Sequence, residues 1–156
     1  DLWHKNKLKN QIYFMKKKKI QFSFTNYSII SEDNKIIKKI KSPKNIEYKD
    51  LLYSCDIALS SVMIKSNLLK DIRFPNLKTK EDYVLWLKLS KKNIKMLGIN
   101  KNLTYWRKTP NSLSSSTIQK FKDGFTLYHK FLSYNILNSL VLTLILSLNF
   151  IKKRYL

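Results

Sequence analysis

The tightest constraint on this chain is the alternation in residues 20–25. Ile20, Phe22 and Phe24 point one way, and Gln21, Ser23 and Thr25 the other. A period of two over such residues predicts a strand over 20–27 with one apolar face. That face has to be covered by a second layer. Residues 4–18 supply a candidate cover. Leu8, Ile12 and Met15 fall on one helical face, with lysines filling most other positions.

The rest of the chain repeats this alternation of periods. Residues 32–35 (Glu-Asp-Asn-Lys) read as a turn, and Ile36-Ile37 begins a second short strand. Pro43 breaks the chain. Residues 47–54 read as a short helix, 57–64 as a mostly buried strand, and Ser66-Asn67 as the start of another short helix. Pro75 and Asn76 punctuate a loop, and 82–91 reads as an amphipathic helix. Short strands are expected near 94–97 and 103–106. Pro110, Asn111, Ser112 and the serines to Ser116 read as a polar loop. From Thr117 a helical tract runs to the end, with a break near 133–135. Helices alternating with strands through residue 108 imply an α/β domain, with a mixed sheet flanked by helices. Gly98 and Gly124 are the two glycines, so the chain has no glycine-rich phosphate loop.

The 156 residues are enough for one domain or part of one. With 44% hydrophobic and 13% aromatic residues, the chain can bury a core, which argues against disorder despite its charge. The net charge of +21 points first to nucleic acid or an anionic membrane. Only Arg73, Arg107 and Arg154 are arginines; the other 28 basic residues are lysines, scattered apart from the run 16–19. Specific nucleic-acid readers favour arginine forks, so no specific nucleic-acid partner is expected. Abundant Lys, Asn and Ile also fit compositional drift toward A/T-rich codons. Cys55 is the single cysteine, which excludes an intrachain disulfide and fits a reducing cytoplasm. His4 and His129 lie far apart and form no ligand pattern. The first residues lack the charged start and apolar run of a secretory signal. With no initiator Met, the sequence reads as a fragment.

The segment 80–89, Lys-Glu-Asp-Tyr-Val-Leu-Trp-Leu-Lys-Leu, has a sound local reading. Thr79 and Asp82 have capping-box spacing. Acids in a first helical turn are favoured by the helix dipole by about 0.3–1 kcal/mol. Trp86 reads as core packing, as Trp3 and Trp106 do unless they flank a site. Cys55 reads as a small buried hydrophobe.

The same segment resembles the acceptor-side motif of family 2 glycosyltransferases. Its company agrees in order. Ser60-Ser61-Val62-Met63-Ile64 resembles the family's buried strand, and Phe74-Pro75 lies in the loop before the acid pair. Gly98-Ile99-Asn100, then Leu103-Thr104-Tyr105-Trp106-Arg107, resembles the segment ending in Tyr-Arg, and Ser112 to Ser115 its serine-rich loop. Asp1-Leu2-Trp3-His4, Lys7-Leu8 and Gln11 resemble the stretch just after the family's aspartate motif, with Asp1 matching the last aspartate of that motif. The resemblance covers nearly all of 1–117. The loop before Glu81 lacks the glycines many members carry there, and nothing before Asp1 is present.

The resemblance implies a partial GT-A (nucleotide-diphospho-sugar transferase) fold. Residues 1–117 would form the acceptor-side half of the catalytic domain and 118–156 a helical membrane-associated tail. It implies transfer of a sugar from a nucleotide-diphospho-sugar to a glycan or lipid-linked acceptor, in bacterial surface polysaccharide synthesis. Asp82 would be the catalytic base, taking the proton of the attacking hydroxyl, with Glu81 beside it orienting the acceptor. Asp1 would belong to the metal and donor site. A divalent cation, Mg²⁺ or Mn²⁺, would stabilise the leaving diphosphate, held mainly by residues ahead of Asp1. Arg107 would approach the diphosphate through its fork, or else stand as a solvated strand end. With so little donor site, the chain is not expected to act alone.

Residues 131–151 carry no charge and are followed by Lys152-Lys153-Arg154. As a helix this run would measure about 31 Å, near one hydrocarbon thickness. Asn135, Ser139, Thr143 and Ser147 recur every four residues and dilute it. Three readings stay open: a helix lying on the membrane, a span, or packing against the absent half. The first places the protein in the cytoplasm on the inner face of the membrane. Two rival functions also stay open, a non-catalytic basic membrane-surface protein and a nucleic-acid-binding module.

Overall fold

A computed structural model of the chain describes residues 1–110, 112 and 116–155. The expected serine-rich loop falls largely outside these residues. In order, the elements are β1 (Leu2–Trp3), α1 (Lys7–Lys18), β2 (Phe22–Ile30), β3 (Ile36–Ile40), β4 (Asn45–Ile46) and α2 (Tyr48–Tyr53). A 3₁₀ turn (Leu59–Ser61), β5 (Met63–Ile64) and a second 3₁₀ turn (Ser66–Leu69) come next. The chain continues with α3 (Glu81–Lys91), β6 (Met96–Arg107), α4 (Thr117–Thr126), a π turn (Leu127–Phe131) and α5 (Ile136–Tyr155).

The sheet is mixed, as expected. Its centre is a parallel pair, β2 and β6, with Phe22 opposite Met96 and Ile30 opposite Arg107. Short antiparallel strands flank the pair. β3 and β5 line the outer side of β2, and β1 and β4 line the outer side of β6. The two strands expected at 94–97 and 103–106 are one strand. The register against β2 slips twice near Thr25 and Asn26, and these bulges absorb the polar residues of the 100–102 stretch. Gly98 is required there. A Cβ at this position would lie 2.1 Å from the Pro43 carbonyl oxygen, while the Gly98 N–H donates to Lys44 O at 3.0 Å.

β2 is buried on both faces. Phe22 and Phe24 enter the core, while Ser23 and Thr25 are equally buried opposite them. The alternation therefore records two interior environments, not a core face and a wet one. α1 covers the polar one with an unexpected side. Leu8 and Ile12 are half exposed, and Lys7, Gln11 and Met15 are buried. Gln11 Nε2 donates to Ser61 O at 3.0 Å and Ser23 Oγ at 3.2 Å.

α3 is the centre of the core. Tyr83, Val84, Leu85, Trp86, Leu87 and Leu89 are all buried. The helix expected at 82–91 is present, and α2, β2 and the π turn surround it, so most of its circumference is buried. Trp86 meets Phe22 edge to face at 4.9 Å, so its core reading holds. Even Lys88 lies over the Phe131 ring. The expected strand at 57–64 is mostly irregular, with only Met63 and Ile64 pairing with β2. The break at 133–135 is present, between the π turn and α5.

Candidate active site

Asp82 is the second residue of α3. Its carboxyl is half-buried, and Oδ1 accepts the Tyr83 N–H at 2.7 Å. Burial pushes its pKa up to about 6, and the neighbouring Glu81 carboxylate adds to the rise. The backbone amides and the Lys80 ammonium oppose it. Lys80 is itself pulled down by burial, against the pull of Asp82 and Asp123.

The expected capping box is not formed. Lys80, not Thr79, is the residue before α3, and it stands in the left-handed region at φ 64°. A lysine there costs about 1–2 kcal/mol, so the surroundings must fix it. Thr79 is held from another helix: its N–H and Oγ1–H both donate to Asp123 Oδ2 on α4, at 2.8 and 2.7 Å. Asp123 Oδ1 accepts from Gln119 Nε2 at 3.0 Å. Asp123 is buried. It is the residue sequence reasoning missed, and its one signal was a lone acid in a tract read as membrane-facing.

Asp1 and Arg107 meet at the carboxyl end of the parallel strands. The Arg107 N–H donates to Asp1 Oδ1 at 3.0 Å. The guanidinium turns the other way. It donates to Ser31 O at 3.1 Å, Glu32 O at 2.5 Å and Asn34 Oδ1 at 2.7 Å, bracing the turn after β2. Arg107 is therefore neither a loose strand end nor a fork presented to solvent.

The segment 54–62 links the two groups. At one end Cys55 is within electrostatic reach of both Asp82 and Tyr27 of β2. Cys55 is exposed, not the small buried hydrophobe expected. At the other end Trp3 Nε1 donates to Ser60 O at 2.8 Å and Gln11 holds Ser61 O. The Lys7 ammonium lies 4.1 Å from the Trp3 ring centre. Trp3 is half exposed beside this segment. Trp3, with Lys7 packed on its ring, and Gln11 thus hold one side of the loop whose other side borders Asp82. Among the described residues no cluster of three or more His, Cys, Asp or Glu side chains could hold a metal.

No protein-family model matches the chain. It is 34% identical over 131 residues to TuaG of Bacillus subtilis, a glycosyltransferase named for teichuronic acid biosynthesis, covering 83% of this chain and 52% of TuaG. It is 40% identical over 123 residues to WfaP of Escherichia coli, covering 79% of this chain and 47% of WfaP. It is 34% identical over 149 residues to WfgD of Escherichia coli, covering 91% and 58%. Both Escherichia coli proteins are named UDP-Glc:α-D-GlcNAc-diphosphoundecaprenol β-1,3-glucosyltransferases. The chain spans about half the length of these curated relatives. An α/β chain with an acid pair opening its central helix is thus, by these likenesses, a relative of bacterial glycosyltransferases.

Proposed function

We propose that the chain is the acceptor-side part of an inverting family 2 glycosyltransferase with a GT-A fold. It would move a sugar from a nucleotide-diphospho-sugar to a lipid-linked acceptor, in surface polysaccharide synthesis. The observation that carries this reading is Asp82. A half-buried carboxyl at a helix start, pushed up to about 6 yet charged at neutral pH, has the properties of a general base. The acceptor hydroxyl oxygen forms its bond to the anomeric carbon as the bond to the diphosphate breaks, and the hydroxyl proton passes to the Asp82 carboxylate. One displacement inverts the centre and needs one base, unlike the paired carboxylates of retaining hydrolases. Glu81 orients the acceptor and tunes Asp82 through its charge.

Among the described residues, Asp1 is the one that would hold the metal beside the donor diphosphate. One Asp1 oxygen is taken by the Arg107 N–H, which leaves one for a cation. That matches the habit of Mg²⁺, which takes one or two carboxylates together with substrate phosphates. Mn²⁺ would use the same oxygen chemistry. When bound, the ion offsets charge on the leaving diphosphate. The acceptor class is drawn from WfaP and WfgD, whose names specify a sugar on diphosphoundecaprenol. Arg107 serves by shaping the turn at 31–34 more directly than by touching phosphate.

In the full-length enzyme Asp82→Asn keeps the fold and donor binding, and lowers transfer by roughly 10²–10⁴-fold. An unchanged rate would remove Asp82 from the role of base.

A further inference from the structure

α5 is amphipathic the wrong way round for a soluble helix. Its polar stripe faces the protein. Ser139 and Thr143 are fully buried, and their hydroxyls are satisfied inside the helix. Ser139 Oγ donates to Asn135 O at 2.8 Å, Thr143 Oγ1 to Ser139 O at 2.7 Å, and Ser147 Oγ to Thr143 O at 2.8 Å. Thr143 packs onto Gly124 of α4, where a Cβ would lie 3.2 Å from the threonine methyl. The outward side is apolar along its length. Leu137 is 71% exposed, Leu144 52% and Leu148 65%, and Leu140, Val141 and Ile151 stand among them.

We propose that this outward face lies in the surface of an anionic lipid leaflet. Three observations choose lipid over other occupants. The face is continuous from Leu137 to Ile151 on a 20-residue helix that is, by length and composition, apolar enough to enter a bilayer. Exposed Lys130 precedes it and exposed Lys152 comes after it, in a chain of net charge +21. Each lysine near an anionic leaflet adds to the attraction. The face also lies away from Asp1: β1 is one edge of the sheet, whereas the end of α5 meets the opposite edge strand, where Lys38 Nζ donates to Lys153 O at 3.0 Å.

The contacts of α5 with the body favour lying on the leaflet over crossing it. Asn149 Nδ2 donates to Tyr53 O at 3.0 Å, and Lys153 Nζ pairs with Asp56. A crossing helix would break these bonds and give up the Thr143 packing. The same bonds fasten α5 to residues 53–56, the segment that carries Cys55 beside Asp82. The seat therefore sets the acceptor side of the site next to the leaflet, on its cytoplasmic face, within reach of a lipid-linked sugar. That last step rests on the transferase reading; the seat does not.

The test uses the full-length protein and two vesicle types, phosphatidylcholine alone and phosphatidylcholine with phosphatidylglycerol. The protein should co-float with the anionic vesicles and be released by alkaline carbonate. Leu144→Glu with Leu148→Glu should weaken that binding by more than about tenfold and keep the unfolding midpoint, since both side chains are exposed. Transfer to a lipid-linked acceptor in vesicles should fall with it, while transfer to a short water-soluble acceptor should not. Absence of flotation, flotation indifferent to the double substitution, or resistance to carbonate overturns the proposal. So does a lipid-free dimer that the substitution splits. Flotation without transfer to either acceptor would instead sink the transferase reading and leave the seat standing.

Discussion

Asp82 carries two opposed demands. As a base it must be charged, and burial together with Glu81 makes charging costly. Since the base works as the anion, kcat/KM should rise with pH through about 6 and level above it. Glu81→Gln removes the like charge that lifts Asp82, so the acid limb should move to lower pH while the plateau falls less than in Asp82→Asn. A limb that stays in place would mean Glu81 does not act on Asp82. The stability sign is the reverse of the common carboxylate case. The folded pKa lies above the ordinary 3.8, so this group costs stability as pH rises from about 4 to about 6 and above. Asp82→Asn should therefore be no less stable than the parent at neutral pH, which lets its loss of activity be read as chemistry.

The acids of α3 are placed by α4. Asp123 takes both polar hydrogens of Thr79, and Thr79 leads directly into the left-handed Lys80. Asp123→Asn keeps the shape but offers one acceptor oxygen where the carboxylate offers two. It should lower stability by about 1–3 kcal/mol and lower kcat more than it raises KM for donor. Equal changes in thermal midpoint with kcat intact would make Asp123 structural only. This link shows where the sequence was readable. The position of α3 was legible because acids, then an apolar run, mark a helix start wherever it packs. The partner of Thr79 was not, because Asp82 sat at capping-box distance while Asp123 lies 44 residues away. The face of α1 was misread for a related reason. Leu8 and Ile12 have the right spacing, but the polar underside of β2 selects Gln11, which can bond Ser23 and Ser61. At 57–64, apolar content suggests a strand, yet Leu59–Ser61 closes a 3₁₀ turn and only Met63 and Ile64 pair with β2.

At the scale of the whole molecule, the question is whether residues 117–155 are an appendage or part of the body. An appendage could be removed with little effect on the rest. The packing argues otherwise. Leu127, Tyr128 and Leu146 belong to the same buried cluster as Phe22, Trp86 and Leu51. Tyr128 and Tyr83 donate their hydroxyls to the Leu52 and Leu51 carbonyls, satisfying the end of α2 from two elements at once. Each of the three buried side chains is worth about 1.5–3 kcal/mol. Their joint removal is comparable with the whole stability of a domain, about 5–15 kcal/mol, and it would also free Thr79 and the Leu52 carbonyl at the end of α2. The full-length enzyme ended at residue 116 should therefore lose cooperative thermal unfolding and bind a hydrophobic dye. A truncated protein with the parent's midpoint would show that the helical end is a detachable tail. On the packing argument, the helices that carry the proposed lipid-facing surface also hold the helix that carries Asp82 in place, so the two proposed roles can be separated by changing the outward side chains and not by cutting the chain.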